Sequence, residues 1–462
     1  MKPGDTITVM AESLSRHGDG VATIEGVEIH VAGLLPGETG DVALDYVSKQ
    51  RPRAHGSVLV RRNTHPGRRP APCRHHGRCN GCALMDMDLA SQRELKRRDL
   101  ERTWGVLVDK LVTLPGAGLG YRYSSKRVFS GSPGDVKLGS YMRGTHNVAD
   151  MRQCLVDHPD IAACADELLD VVNSVRAVPF DEVDGHGDFR YAWFKTDGHG
   201  QTLVAIVTAD PASRAVHEVA AQLELPAGVS WAVNSGRGND MRGVTLRPLR
   251  GRQSVPVAFG DVVTHAGPLG FLQPNPPAAA LAYHDLVRVP AGGTLHGKLA
   301  LDLYAGAGVT TTLLRRHFGE VVPCESFPES ARLLQIEPML VEEMLARILA
   351  DPHHPHRQAD LVVANPPRGG LGPTVCDQLN ELAAPRLHIM SCSPASLVED
   401  LRRLTAPSGG SNRGSGRGSN GHGDTIRDGH AGRYRVIGAR AFDTLPQTHH
   451  VEAIVWLVGR TA

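Results

Sequence analysis

Residues 299–304, Leu-Ala-Leu-Asp-Leu-Tyr, read as a buried strand running straight into Ala305-Gly306-Ala307-Gly308-Val309 and then a helical stretch over 310–317. A glycine turn between a buried strand and a helix lets the backbone approach a ligand at the carboxyl edge of a parallel sheet. From about Pro268 onward, apolar runs such as 299–304 and 360–364 alternate with helical stretches, which predicts a mostly parallel α/β sheet with crossover helices. About twenty residues past the glycines, Val321-Val322-Pro323-Cys324-Glu325 reads as a second strand ending in an acid, where a carboxylate can bind both hydroxyls of an unphosphorylated ribose. Alone, this unit fits nucleotide binders of several kinds, or a purely structural turn.

Upstream the texture differs. Residues 1–62 carry short strands at 6–9, 20–24, 28–31, 40–44 and 56–60, punctuated by Gly pairs and Pro36-Gly37-Glu38, as expected of a small antiparallel β-barrel. Residues 63–84 hold the cysteine-rich segment. Within 85–120, residues 90–111 show apolar positions at helical spacing, predicting one long helix that packs on the catalytic domain. Residues 121–262 mix strand and helix with many turns, an α+β pattern, and 263–462 form the α/β domain. Residues 408–432, rich in Gly, Ser, Arg and His, cannot bury a core and are expected to be a flexible insertion without chemistry.

The 50 Lys and Arg nearly balance the 49 Asp and Glu, so overall charge names no partner. Local charge does more: residues 49–78 contain nine Lys or Arg and no acid. Such a run suits a polyanion, although a solvated basic loop also carries one. Met1-Lys2-Pro3-Gly4-Asp5 has no apolar core behind it, and no apolar run approaches the ~20 residues of a membrane span. A soluble, cytoplasmic monomer with no membrane partner is the expectation. Its eight cysteines are then metal ligands, catalytic thiols or core residues before they are disulfides.

Four segments add chemistry. They are Phe271-Leu272-Gln273-Pro274-Asn275, Asn365-Pro366-Pro367-Arg368-Gly369-Gly370, Met390-Ser391-Cys392-Ser393-Pro394, and Leu445-Pro446-Gln447-Thr448-His449-His450-Val451-Glu452. With 138–146 leading to Cys154, this ordered set resembles the 5-methyluridine RNA methyltransferase family, particularly its ribosomal-RNA branch. The resemblance covers nearly the whole chain. It implies a multidomain protein: an N-terminal barrel of the OB type known as TRAM, a central α+β domain with an iron–sulfur site, and a Rossmann-like methyltransferase domain. It also implies S-adenosylmethionine as methyl donor, with Gln273, Tyr304, Gly306, Gly308, Glu325 and Asn365 about it. The RNA implied is ribosomal, with transfer RNA as the alternative.

The chemistry requires these residue types. Carbon 5 of uracil is too weak a nucleophile to take a methyl from a sulfonium unaided. A thiolate adding to carbon 6 turns the ring into an enolate whose carbon 5 can attack. A base must then remove the carbon 5 proton so that the thiolate can leave. By resemblance Cys392 is the nucleophile and Glu452 the base, a role open to a glutamate whose surroundings raise its pKa. A lone cysteine is otherwise a small buried hydrophobe, the reading kept for Cys164, Cys324 and Cys376.

Cys73-x5-Cys79-x2-Cys82 is compact enough for three thiolates to meet one centre, with Cys154 as a fourth. Spacing leaves structural zinc and an iron–sulfur cluster both open; the resemblance implies a 4Fe–4S cluster of structural or RNA-orienting role. His75 and His76, between the ligands, are expected to face solvent or phosphate.

The sequence departs from the family pattern at three places. Asn365 replaces an aspartate, Val309 replaces a polar residue, and the third-strand cofactor acid is hard to place between Glu325 and Asp360, with Glu343 as candidate. Two other readings follow. An RNA base N-methyltransferase would use Asn-Pro-Pro followed by an aromatic, but Arg368 stands there. A non-catalytic RNA-binding or ribosome-assembly protein with a decayed cofactor pocket would account for the departures, but not for retention of Cys392 and Glu452.

Overall fold

The computed structural model describes residues 1–460 except 16, 105–110, 117, 143–144, 237–239, 291 and 406–432, so the expected insertion at 408–432 lies outside the described residues. The N-terminal sheet has six strands in the order Thr6–Met10, Thr39–Val47, Arg53–Arg61, Val27–Ala32, Gly20–Ile24, Ser13–Leu14. Alternate residues point inward, so Val9, Ile29, Val31, Val42 and Leu44 meet in one small core, a half-barrel. Its strands were expected to be wholly antiparallel. Instead Val27–Ala32 pairs parallel with Arg53–Arg61. Strand-like runs carry no mark of their partner's direction, so a single sequence could not show this.

The predicted helix does not extend to Leu111. It spans Leu89–Trp104, and Leu111–Val112 is instead a strand beside Tyr434–Phe442. Its buried stripe is Gln92, Lys96, Leu100 and Trp104, four residues apart each time, and half of it is polar.

The central sheet has seven strands in the order Val148–Asp150, Asp135–Tyr141, Ser124–Ser132, Phe189–Thr196, Thr202–Thr208, Gly228–Val233, Thr245–Gly251. Helices Pro159–Ser174 and Ala215–Gln222 cover one face through Ile161, Leu168, Val172 and Val219. The other face receives Leu269 and Phe327 from the C-terminal part of the chain. The hairpin Val255–Phe259 and Val262–Ala266, which straddles the boundary expected at 262–263, packs with helix Pro276–Leu286 in the C-terminal core.

The C-terminal sheet runs Phe318–Cys324, Gly297–Leu303, Leu361–Ala364, Arg386–Ser391, Glu452–Gly459, Tyr434–Phe442, Leu111–Val112. The first four are parallel, and Glu452–Gly459 is antiparallel to both its neighbours. Chain order reverses direction at Gly297–Leu303, where the next strand lies on one side and the one after on the other. A crevice therefore opens at the carboxyl ends of Gly297–Leu303 and Leu361–Ala364. Among the described residues no strand lies outside Phe318–Cys324; the segment that follows forms helices Pro328–Leu334 and Val341–Ala350. The third-strand acid was hard to place because no third strand is there.

Candidate active site

Strand pairing brings the nucleophile and base candidates together. Ser391 at the end of Arg386–Ser391 pairs with Ala453. One step further, Cys392 leaves its strand where Glu452 begins the adjacent one. Cys392 is half-buried and Glu452 buried. Burial and the nearby Glu452 charge push the Cys392 thiol up, while Arg368 pulls it down. Burial also drives the Glu452 carboxyl to about 8, against the opposing effects of Arg368 and a hydrogen bond from Gln273. At rest the pair is therefore a thiol and a neutral acid beside a guanidinium.

The loop carrying Arg368 is tied down from below. Ser396 Oγ donates to the Arg368 carbonyl at 2.8 Å, and the buried Asp400 carboxylate accepts the amides of Leu371 at 2.8 Å and Gly372 at 3.2 Å. Gly370 sits at φ +81° with Asp400 Oδ2 only 2.4 Å from where a Cβ would be, so a side chain cannot be accommodated.

The segment before Glu452 is held from several sides. Lys96, fully buried, donates to Asp443 Oδ1 at 2.6 Å and to the Leu445 carbonyl at 3.0 Å. Gln92 exchanges two bonds with Gln447, at 2.9 and 2.8 Å. The Leu84 amide donates to the Gln447 carbonyl at 2.9 Å, and the Tyr121 hydroxyl to the Pro446 carbonyl at 2.8 Å. Gln92 and Lys96 were missed in the sequence reading. Their signal was there: polar residues on the stripe of the helix that faces inward.

On the cofactor side, Tyr304, Gly306 and Gly308 all have positive φ, at 61°, 55° and 78°, shaping the turn after strand Gly297–Leu303. Glu325 lies at its rim, accepting the amides of Gly306 at 2.8 Å and Phe327 at 2.7 Å. Val309 turns its side chain into the apolar core, so the departure there changes packing rather than a polar contact. Asn365 is half-buried, its amide bonded to the Leu303 carbonyl at 3.2 Å, next to the same turn. The buried Tyr283 hydroxyl faces Gln273 and Asn365, close to Glu452.

Asn275 serves the fold: its side chain caps helix Pro276–Leu286 and donates to the Thr444 carbonyl at 2.9 Å. Glu343 is exposed on helix Val341–Ala350, and the half-buried Glu342 is the acid that reaches Tyr304. Two further acids were missed. Asp302 is buried, held up at about 7 by desolvation, and accepts Thr311 Oγ1 at 2.5 Å. Glu329 accepts the Gly270 amide at 2.5 Å and packs on Gly267, fixing the loop that leads to Phe271 and Gln273. A charge inside the apolar run 299–304 marked Asp302; nothing local marked Glu329.

Cys73, Cys79, Cys82 and Cys154 line one small cavity together with His75, His76, Met85 and Met151. His75 and His76 therefore face this cavity as well as solvent. Among the described residues, no group of three or more His, Cys, Asp or Glu is arranged to hold a metal ion.

No family model matches the chain. It is 28% identical over 480 residues to a protein of Geobacter sulfurreducens named an uncharacterised RNA methyltransferase, across 99% of this chain and 91% of that one. It is 26% identical over 476 residues to a protein of the same description from Gloeobacter violaceus, across 98% and 96%. The chain is a homologue of RNA methyltransferases. Its fold matches that of the Pyrococcus abyssi tRNA (uracil-54, C5)-methyltransferase, solved with S-adenosyl-L-homocysteine, at a TM-score of 0.72 and 19% identity over 98% of this chain and 99% of that one. What these methyltransferases share with it is the whole chain, half-barrel included, rather than the catalytic sheet alone.

Proposed function

We propose that this chain methylates carbon 5 of a uridine in RNA through a covalent adduct on Cys392. The observation that carries the reading is the register that sets Cys392 and Glu452 side by side at the mouth of a glycine-turn crevice. S-adenosylmethionine, bound about Tyr304, Gly306, Gly308, Glu325, Gln273 and Asn365, would supply the methyl group as an electrophile. Cys392 gives up its proton to solvent, as does Glu452, and the sulfur bonds to carbon 6, pushing the ring double-bond electrons into the enolate so that carbon 5 becomes nucleophilic. Arg368, beside the sulfur, favours the thiolate. Once carbon 5 carries the methyl, Glu452 as carboxylate takes the carbon 5 proton. The electron pair re-forms the ring double bond and the Cys392 sulfur leaves.

Ribosomal RNA is the substrate class we favour, on the family resemblance of the N-terminal half-barrel to the TRAM module; transfer RNA, named for the Pyrococcus enzyme, is the other outcome. A monomer acting in the cytoplasm fits this work, and among the described residues no helix is long and apolar enough to cross a membrane. Mapping 5-methyluridine in RNA from cells with and without the protein tests the activity and identifies the site. Cys392→Ala is expected to abolish it while RNA binding persists; undiminished methylation by that variant refutes the mechanism. Asn365 in place of an acid favours a non-catalytic RNA-binding protein, and a wild type that leaves every uridine unmodified would establish that reading.

Four soft thiols around a shared cavity are a donor set open to zinc or to an iron–sulfur cluster, and the family resemblance favours the cluster. We assign Cys73, Cys79, Cys82 and Cys154 to a 4Fe–4S cluster of structural role. Protein purified anaerobically is expected to be brown, with iron and sulfide in equal amounts. A colourless protein carrying zinc rejects the assignment.

A further inference from the structure

The face of the central sheet turned toward the catalytic sheet carries charge where an interface is ordinarily apolar. Pairing between Ser124–Ser132 and Phe189–Thr196 sets Trp193 opposite Lys126 and Lys195 opposite Ser124. With side chains alternating along each strand, Lys126, Trp193 and Lys195 share one face. On it Val128, Tyr191, Ala205, Val207 and Ala232 form an apolar floor capped by Leu269 and Phe327.

At the edge of that floor the cations gather on one ring. Lys126 Nζ, Lys195 Nζ and the Arg242 guanidinium lie 5.6, 5.7 and 5.8 Å from the Trp193 ring centre, and Arg242 is also 4.8 Å from that of Phe327. The indole is fixed by its N–H donating to the Met241 carbonyl at 2.8 Å. It is buried and so unable to stack on a base; it is the scaffold that aims the cations. Lys195 is turned inward, donating to Ser124 Oγ at 2.7 Å near Glu329.

Lys126 and Arg242 are left for solvent: Lys126 is exposed and Arg242 half-buried. The charges of Arg368 and Arg242 both bear on Lys126, with Asp240 the opposing acid nearby. Among the described residues Lys126 and Arg242 are in no ion pair, whereas Arg368 stands beside Cys392 and Glu452. Unpaired like charges held within mutual range cost stability unless a polyanion neutralises them. Arg368 in turn adjoins Cys392.

We infer that Lys126 and Arg242 form a phosphate-docking track that leads the RNA strand to Arg368 and the Cys392 pocket. This rests on the reading of the chain as an RNA methyltransferase. Among the described residues the track presents cations and aromatic carbon, and the Asp240 carboxylate beside it is engaged by the Arg242 amide. It positions the backbone flanking the target nucleotide, whatever the flanking sequence.

The test uses the full chain, with Lys126→Gln and Arg242→Gln, and short RNA hairpins of two sequences that each carry a loop uridine. Binding is titrated over a series of salt concentrations, with thermal midpoints to confirm folding. Each variant is expected to bind both hairpins about tenfold more weakly and to lower the slope of log affinity against log salt by about one. Wild-type affinity and slope in the exposed Lys126→Gln overturn the track, and so does weakening confined to one hairpin sequence. Methylation of the same hairpins by the wild type keeps the two readings apart. A reduced slope without any methyl transfer leaves the track standing and removes the uridine methyltransferase reading. Methyl transfer with an unchanged slope does the reverse.

Discussion

Glu452 sits on a buried strand end, where desolvation outweighs the opposing effects of Arg368 and Gln273 and its carboxyl is held at about 8. A base must be ionised to accept a proton, so the fraction competent for the second half-reaction grows as pH rises toward that value. The raised Cys392 thiol acts in the same direction. The expected profile of kcat/KM for RNA therefore climbs through neutral pH and flattens only on the alkaline side of about 8. A profile flat across neutral pH would mean that neither group titrates in the reaction. Glu452→Gln, which keeps the Gln273 contact, should lower turnover by roughly 10²–10⁴-fold. Both residues were singled out by the motifs that carry the family resemblance, and strand pairing sets them at adjoining strand ends. Asp302, Glu329, Gln92 and Lys96 were not read, because what makes them matter is what lies across from them. A single chain shows the period of a helix or strand, but not the partner on its far side.

At the scale of elements, the segment 443–450 is positioned by helix Leu89–Trp104 rather than by its own sheet. Two polar residues on that helix's inner stripe take over the backbone and side chains of the segment. Lys96→Met should leave the buried Asp443 with the longer Arg93 pair at 3.7 Å in place of its hydrogen-bonded partner and cost up to about 3–5 kcal/mol, measured as loss in chemical unfolding. Adding Asp443→Leu should recover most of that stability but not full turnover, since the Leu445 carbonyl also loses its donor. Recovery of both would make the pair irrelevant to the base. The parallel strands, the glycine turn and the second strand ending in Glu325 were readable from apolar runs and their punctuation. The strand at Leu111–Val112 and the missing third strand were not. Both depend on tertiary pairing, in which Leu111–Val112 joins a sheet through Tyr434–Phe442, more than three hundred residues away in sequence.

Over the whole molecule, the half-barrel, the cysteine cavity and the central sheet converge on one catalytic crevice. Leu84, two residues past Cys82, bonds directly to Gln447, so the cysteine segment braces the loop that presents the base. Three of the four cysteines were read from their spacing and Cys154 from the family resemblance; all four line one cavity, whereas the approach of that segment to the loop before Glu452 was invisible in the sequence. On the proposed mechanism this architecture serves one bond, between a sulfur and a pyrimidine carbon. RNA bearing 5-fluorouridine at the target position tests that bond directly, because fluorine cannot leave carbon 5 as a proton does and the adduct is stranded. Mass spectrometry of the digested complex should find methylated fluorouridine on the peptide containing Cys392, and none with Cys392→Ala. An adduct on any other residue, or methyl transfer to uridine with no trapped species, would contradict the account.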